Sequence, residues 1–330
     1  MRAALLKTPG PVARRPLQID EIPDPRTRPG TVLLAVRACG VCRTDLHICE
    51  GELPPHRSPL VPGHQVVGEV AGGATEALPL GTRVGVSWIA GTDGSCSYCR
   101  SGHENLCDAI SFTGYDVDGG YAQYALARSD FVYPLTAKLH DDQVAPLLCA
   151  GIIGFRALRV AGVERGERVG LYGFGASAHL AIDVLHAWGC EVYVATRGAS
   201  HQRLARERGA LWVGGETDTP PVKLDRAVTF APSGDVVVAA LGALRKGGVV
   251  AINAIHLDRI PAFDYDSLLW GERQIRSVAN MTRQDAIDFL RLAEEIDLRP
   301  KITRFPLAEA NEALLAVKND AIDGAAVVVP

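Results

Sequence analysis

The sequence predicts an α/β protein in which a doubly wound parallel sheet follows a mainly β segment, and three observations carry that expectation. At 330 residues the chain exceeds the size at which a single hydrophobic core keeps growing, which favours two domains. Residues 1 to about 150 hold short β-type runs, at 31–36, 65–70 and 83–86, between Gly- and Pro-rich turn signals. From about 151 onward, apolar β-branched runs alternate with helical patterns, the mark of βαβ units around a parallel sheet.

Six candidate strands, 168–172, 191–196, 211–213, 224–230, 248–253 and 275–279, suit such a sheet. After the first of them Ala181, Val184, Leu185 and Trp188 repeat at i, i+3, i+4, i+7, with Gly189 as the helix stop. Beyond about 280 come two amphipathic helices. One carries Ala286, Phe289, Leu290 and Ala293 behind a Thr282 cap, the other Ala310, Ala313, Leu314 and Val317. A β run at 325–329 closes the chain. This tail is too small for a domain of its own, so the expected division is 1–150, 151–280, and 281–330 folded back onto the first part.

Composition narrows the function classes. Hydrophobic residues at 47% and charged residues at 22% are ordinary globular usage and exclude collagen, coiled coil and disorder. The net charge is −4 and the basic residues are scattered, so neither a nucleic acid nor a membrane surface is indicated as partner. The first residues meet Lys7 and Pro9 before a signal-peptide core could form, and no apolar run reaches membrane-spanning length. The expectation is a cytoplasmic protein, whose eight cysteines are reduced thiols and metal ligands rather than disulfides.

Two motifs carry chemistry. Gly173-Phe174-Gly175-Ala176-Ser177-Ala178 fits G-x-G-x-x-G/A between a predicted strand and a predicted helix. Gly173 makes the tight turn and Gly175 lets the backbone approach a pyrophosphate. Ala176 opens the helix, whose N-terminus faces the phosphates, and the small Ala178 allows close helix–strand packing. An NAD site places an acidic residue at the end of the second strand, but none occurs from Val192 to Arg206. Thr196, Arg197, His201 and Arg203 stand there instead, which points to the 2′-phosphate of NADP(H) over NAD(H); the alternative is a set of solvated helix-start residues. The second motif is dispersed: Cys42, His64 and Cys149 offer two thiolates and an imidazole, a set that leaves a tetrahedral zinc one open position.

The ordered stretches GVCRTDLH at 40–47, PGH at 62–64, CSYCRSGHENLC at 96–107, GGYAQY at 119–124, LLCAGIIGFRAL at 147–158 and GFGASA at 173–178 resemble the zinc-dependent medium-chain alcohol dehydrogenases. The similarity is to the bacterial, cinnamyl-alcohol-dehydrogenase-like branch and runs the whole chain. It implies a mainly β GroES-like catalytic domain into which a Rossmann domain is inserted. It also implies an enzyme that interconverts small-molecule alcohols with aldehydes or ketones by hydride transfer to or from a nicotinamide cofactor. By position, the resemblance gives Cys42, His64 and Cys149 the catalytic zinc and Asp45 the orientation of the histidine. Thr44 takes the hydrogen bond to the substrate oxygen and His47 the exchange of the relayed proton with solvent. Arg43 falls near the cofactor phosphates, and Trp88 and Ile89 line the substrate pocket. The rival reading, a zinc-free quinone or enone reductase of the same fold, would need no ligand triad.

Two departures from the family pattern bear on the metals. The structural zinc of these enzymes uses C-x2-C-x2-C-x7-C; here Asp93 precedes Cys96, Cys99 and Cys107, so a second zinc is expected on one carboxylate and three thiolates, against a metal-free lobe. Gln65 follows His64 where these enzymes have Glu, which weakens a polyol-dehydrogenase reading and leaves Cys149 as third ligand. The edge of the sixth strand, where this fold pairs subunits, makes a homodimer or tetramer the expected assembly.

Overall fold

The strand Thr31–Val41 organises the first half of the molecule. Its even positions from Val32 to Val36 are buried while the odd ones are partly exposed, the period-2 pattern of a half-buried antiparallel strand. It lies in a seven-stranded sheet in the order Ile302–Pro306, Ala325–Val329, Thr31–Val41, Gln65–Gly72, Arg83–Val86, Val132–Pro134, with Tyr124–Arg128 pairing alongside Thr31–Val41. The strand runs past residue 36 because its outward Arg37 pairs with Glu69 on the neighbouring strand at 2.7 Å and a bulge between Val36 and Ala38 re-aims the remainder.

The computed structural model describes residues 1–322 and 324–330, and these divide into two units, Met1–Ala150 with Thr282–Pro330, and Gly151–Met281. The core of the first unit gathers Leu34, Ile48, Leu60, Val66 and Tyr121 with Leu314 and Val328 from the C-terminal segment. That segment is held by paired bonds as well as by packing: Leu17 N donates to Asn311 Oδ1 at 3.0 Å and Asn311 Nδ2 returns to Leu17 O at 2.9 Å. The helix Arg283–Glu295 starts on a capping box between Thr282 and Asp285 and buries Ala286, Phe289, Leu290 and Ala293.

The second unit is a six-stranded parallel sheet in the order Trp212–Gly214, Glu191–Ala195, Arg168–Tyr172, Leu224–Thr229, Leu244–Ile252, Gln274–Ser277. Strand order reverses at Arg168–Tyr172, which makes the carboxyl ends of that strand and of Leu224–Thr229 the topological switch point. The fold is thus a mixed α/β arrangement of a doubly wound parallel sheet and a mainly β domain, as the sequence predicts. All six predicted strands are present, 168–172 with the predicted ends and the other five with shifted ones. The largest shift is at Leu244–Ile252, which begins four residues before 248 because Leu244 pairs with Leu224 across a register irregularity. No single helix among the described residues is long and apolar enough to cross a membrane.

Candidate active site

The helix Arg43–Glu50 begins where Cys42 adopts an extended backbone and acts as N-cap. The Cys42 Sγ accepts from Thr44 N at 3.3 Å, and Cys42 N donates to Asp45 Oδ2 at 2.9 Å, closing a capping box. The other oxygen of Asp45 is directed at His64, whose Nδ1 lies 2.9 Å from Asp45 Oδ1. Both side chains are buried. An ionised Asp45 can only accept, so the bond keeps a proton on Nδ1 and makes Nε2 the ring atom that a metal would take in place of a proton. That Nε2 faces Cys42 Sγ at 3.4 Å.

Cys149 arrives from a separate segment, at the end of the short turn Ala145–Leu148 and before the helix Ala150–Ala161. Its thiol, that of Cys42 and the His64 ring nitrogen all lie within 4.8 Å of one another. Zn–S and Zn–N bonds of about 2.3 and 2.0 Å at tetrahedral angles require ligand atoms roughly 3.5 Å apart, so the donor spacing fits zinc. The electrostatics agree. Hydrogen bonding from Cys149 holds the Cys42 thiol well below its ordinary value, with His64 adding to the effect against burial. Cys149 is correspondingly pushed up by that donation and by burial. Burial would lower His64, yet Asp45 and Cys42 carry the ring well above its usual value, while burial raises Asp45. The polypeptide alone thus favours a thiolate at Cys42 facing a cationic ring, a charge pattern that a dication would replace.

Around this centre Thr44 is buried on the same helix. His47, one turn on at i+3, is 39% exposed and holds Glu52 Oε2 at 2.5 Å through Nδ1, so it reaches solvent. The Trp88 ring meets His64 edge-on with centroids 5.0 Å apart and stacks on Phe112 at 4.7 Å. Ile89 is buried beside it in a short strand paired with Phe112. Gln65 is also buried. Its Nε2 has no hydrogen-bond partner among the described residues, and its Oε1 is packed so closely on Gly40 that a Cβ there would lie 2.8 Å away. Arg43 forms an ion pair with Asp320 at 2.7 Å.

A second donor cluster lies in the loop that follows the strand Ile89–Gly91. One atom each of Asp93, Cys96, Cys99 and Cys107 falls within 4.8 Å of the others. Asp93 Oδ1 accepts from Ser95 N at 2.7 Å and Cys96 N at 2.9 Å, and these bonds hold the carboxyl far below the ordinary carboxylate range. Hydrogen bonds from the Cys99 and Cys107 thiols add to the effect, so the carboxylate faces the three sulfurs. Cys96 accepts from Cys99 N, which favours its thiolate, but burial and the neighbouring thiols push it up to about 11.

In the second unit the loop Gly173–Gly175 joins the strand Arg168–Tyr172 to the helix Ala176–Ala187. Gly173 has φ +88, and a Cβ on it would lie 3.0 Å from Ala231 N. Among the described residues nothing lies within 4 Å of a Cβ built on Gly175, so a phosphate could come close to the backbone there. Ala176 opens the helix and Ala178 is fully buried. Thr196 is buried at the end of the second sheet strand, whereas the Arg197 side chain is 83% exposed. Sequence reasoning passes over Glu216, Glu52 and Asp320, the carboxylates beside Arg197, His47 and Arg43; none of them belongs to a motif.

Residues 28–137 match the family model of the alcohol dehydrogenase GroES-like domain. A probable alcohol dehydrogenase AdhA from Mycobacterium tuberculosis is 46% identical, over 100% of this chain and 97% of its own length. Among solved structures, AibC superposes with a TM-score of 0.91 at 27% identity, covering 100% of this chain and 96% of its own. A putative zinc-binding dehydrogenase from Sinorhizobium meliloti, bound to NADP, gives 0.86 at 25% identity, covering 100% and 99%. The chain belongs to the medium-chain alcohol dehydrogenase family. Its class of activity is alcohol oxidoreduction on a small-molecule substrate.

Proposed function

We propose that this chain interconverts alcohols with aldehydes or ketones by zinc-dependent hydride transfer, with NADP(H) favoured over NAD(H). The observation that carries the proposal is the convergence of Cys42 Sγ, His64 Nε2 and Cys149 Sγ at ligand spacing behind a buried carboxylate. A zinc ion held there would supply Lewis acidity to the substrate oxygen at its fourth position, and the nicotinamide would accept or deliver the hydride.

The residues do the rest. Asp45 fixes the His64 tautomer and raises its basicity as a ligand. Thr44 hydrogen-bonds the substrate hydroxyl and passes its proton on. His47, on the same helix and exposed, exchanges that proton with solvent while Glu52 holds its ring. Trp88 and Ile89, with Phe112 stacked behind Trp88, give the substrate an apolar wall. Gly173, Gly175, Ala176 and Ala178 cradle the pyrophosphate, Arg43 supplies positive charge toward the phosphates, and Thr196 and Arg197 take the ribose end. Asp93, Cys96, Cys99 and Cys107 hold a second, structural zinc. A zinc-free reductase would have no use for a carboxylate-backed histidine between two thiols.

A panel of aliphatic, benzylic and cinnamyl alcohols, followed by nicotinamide absorbance with each cofactor, tests the reading. Alcohol-dependent reduction of NADP is expected. Its absence with both cofactors contradicts the proposal.

A further inference from the structure

The ends of the edge strand Trp212–Gly214 and of its neighbour Glu191–Ala195 are locked to each other. Thr196 N donates to Gly214 O at 3.0 Å, and Gln202 Nε2 donates to Thr196 O at 3.0 Å and to Gly214 O at 3.4 Å. Immediately beyond, the chain turns tightly: Gly215 N donates to Asp218 Oδ2 at 2.7 Å and Asp218 N to Gly215 O at 3.0 Å. These bonds set the backbone on either side of Glu216. Its Oε2 lies 4.0 Å from Arg197 Nε, and the two side chains are 41% and 83% exposed.

The carboxylate that a search along residues 192–206 does not find is therefore present in space, delivered by the turn after the neighbouring strand. A carboxylate at a ribose site accepts from the sugar hydroxyls and repels a 2′-phosphate, whereas an arginine attracts that phosphate. Here both stand together. Their ion pair is long and solvated, so it contributes little and yields readily to a stronger anion. The charge on Glu216 remains, however, and a dianionic phosphate seated on Arg197 must approach it.

We propose that Glu216 is a specificity-determining residue that restrains the preference for the 2′-phosphorylated dinucleotide, set against Arg197, which promotes it. This rests on the reading that the cofactor ribose lies at Thr196 and Arg197. Like-charge repulsion of this kind discriminates by penalising one ligand and sparing the other.

The test is titration of the full-length, zinc-loaded protein with NADPH and with NADH, following nucleotide fluorescence, in wild type, Glu216→Gln, Glu216→Lys, Glu216→Asp and Arg197→Ala. Glu216→Gln is expected to tighten NADPH about tenfold and to leave NADH within about twofold, the size of effect expected from removing one partly screened like charge. Glu216→Lys should move the ratio further the same way, and Glu216→Asp should keep the wild-type ratio. If Arg197→Ala weakens NADPH but Glu216→Gln moves neither cofactor, or moves both equally, the role of Glu216 is overturned while the ribose reading stands. If Arg197→Ala leaves NADPH unchanged, the ribose reading falls, and the proposal with it.

Discussion

Asp45 Oδ1 lies 2.9 Å from His64 Nδ1 while Asp45 Oδ2 accepts from Cys42 N, so one buried carboxylate positions two of the three candidate zinc ligands. Replacing it by Asn keeps the shape and removes the charge. Asp45→Asn is expected to lower zinc affinity or kcat/KM about 10- to 100-fold, the usual cost of losing such a partner. Zinc content after dialysis against a chelator, together with alcohol oxidation by the reloaded protein, checks this.

The two loop glycines should respond differently to a methyl group. Gly173→Ala puts a Cβ at φ +88 and 3.0 Å from Ala231 N, so a loss of about 1–2 kcal/mol and a lower Tm are expected. Gly175→Ala adds its methyl to open space. It should change stability by less than about 0.5 kcal/mol and still weaken cofactor binding, because the proposed pyrophosphate site needs that space. Thermal unfolding and nucleotide titration of both variants separate the two roles.

The parallel sheet is legible in the sequence because its strands are buried on both faces and read as unbroken apolar runs. The strand Thr31–Val41 is only half legible. Arg37 and Gly40 break its pattern, and what lets them sit in a strand is Glu69 and Gln65 on the next one. Leu244–Ile252 hides its start for a related reason, since Arg245, Lys246 and Gly247 read locally as a turn. Of the candidate site, the gathering of Cys42, His64 and Cys149 from distant segments is visible through family resemblance and not through any period. Glu216 and Asp320 are invisible in both ways, being close to Arg197 and Arg43 in space and to no motif in the sequence.

Asp93 supplies the one oxygen in a set of three sulfurs. If the set holds a structural zinc, Asp93→Ala should reduce the metal content from about two zinc ions per chain to about one and lower Tm, while Asp93→Cys keeps both. Activity at moderate temperature should outlast the loss of the loop zinc. Metal analysis beside thermal unfolding is the check.

In the second unit Asp225 accepts from Arg168 N at 2.8 Å and pairs with Arg245. Burial alone would raise its carboxyl, but these partners hold it below the ordinary carboxylate value. A depressed folded pKa gives stability that is present above the unfolded carboxylate value of about 3.9 and lost as pH falls through the folded value. Asp225→Asn should therefore lower Tm at neutral pH, and the gap from wild type should close as pH falls below the ordinary carboxylate value and through the depressed folded one. Tm measured across that range decides it.

The most direct measurement is zinc stoichiometry and alcohol oxidation, made on the same preparations of wild type, Cys42→Ala and Cys149→Ala. The predicted result is about two zinc ions per chain in wild type and about one in each variant, with alcohol oxidation abolished in both. A zinc-free wild-type protein that oxidises alcohols, or a Cys42→Ala variant with unchanged turnover, would contradict the account.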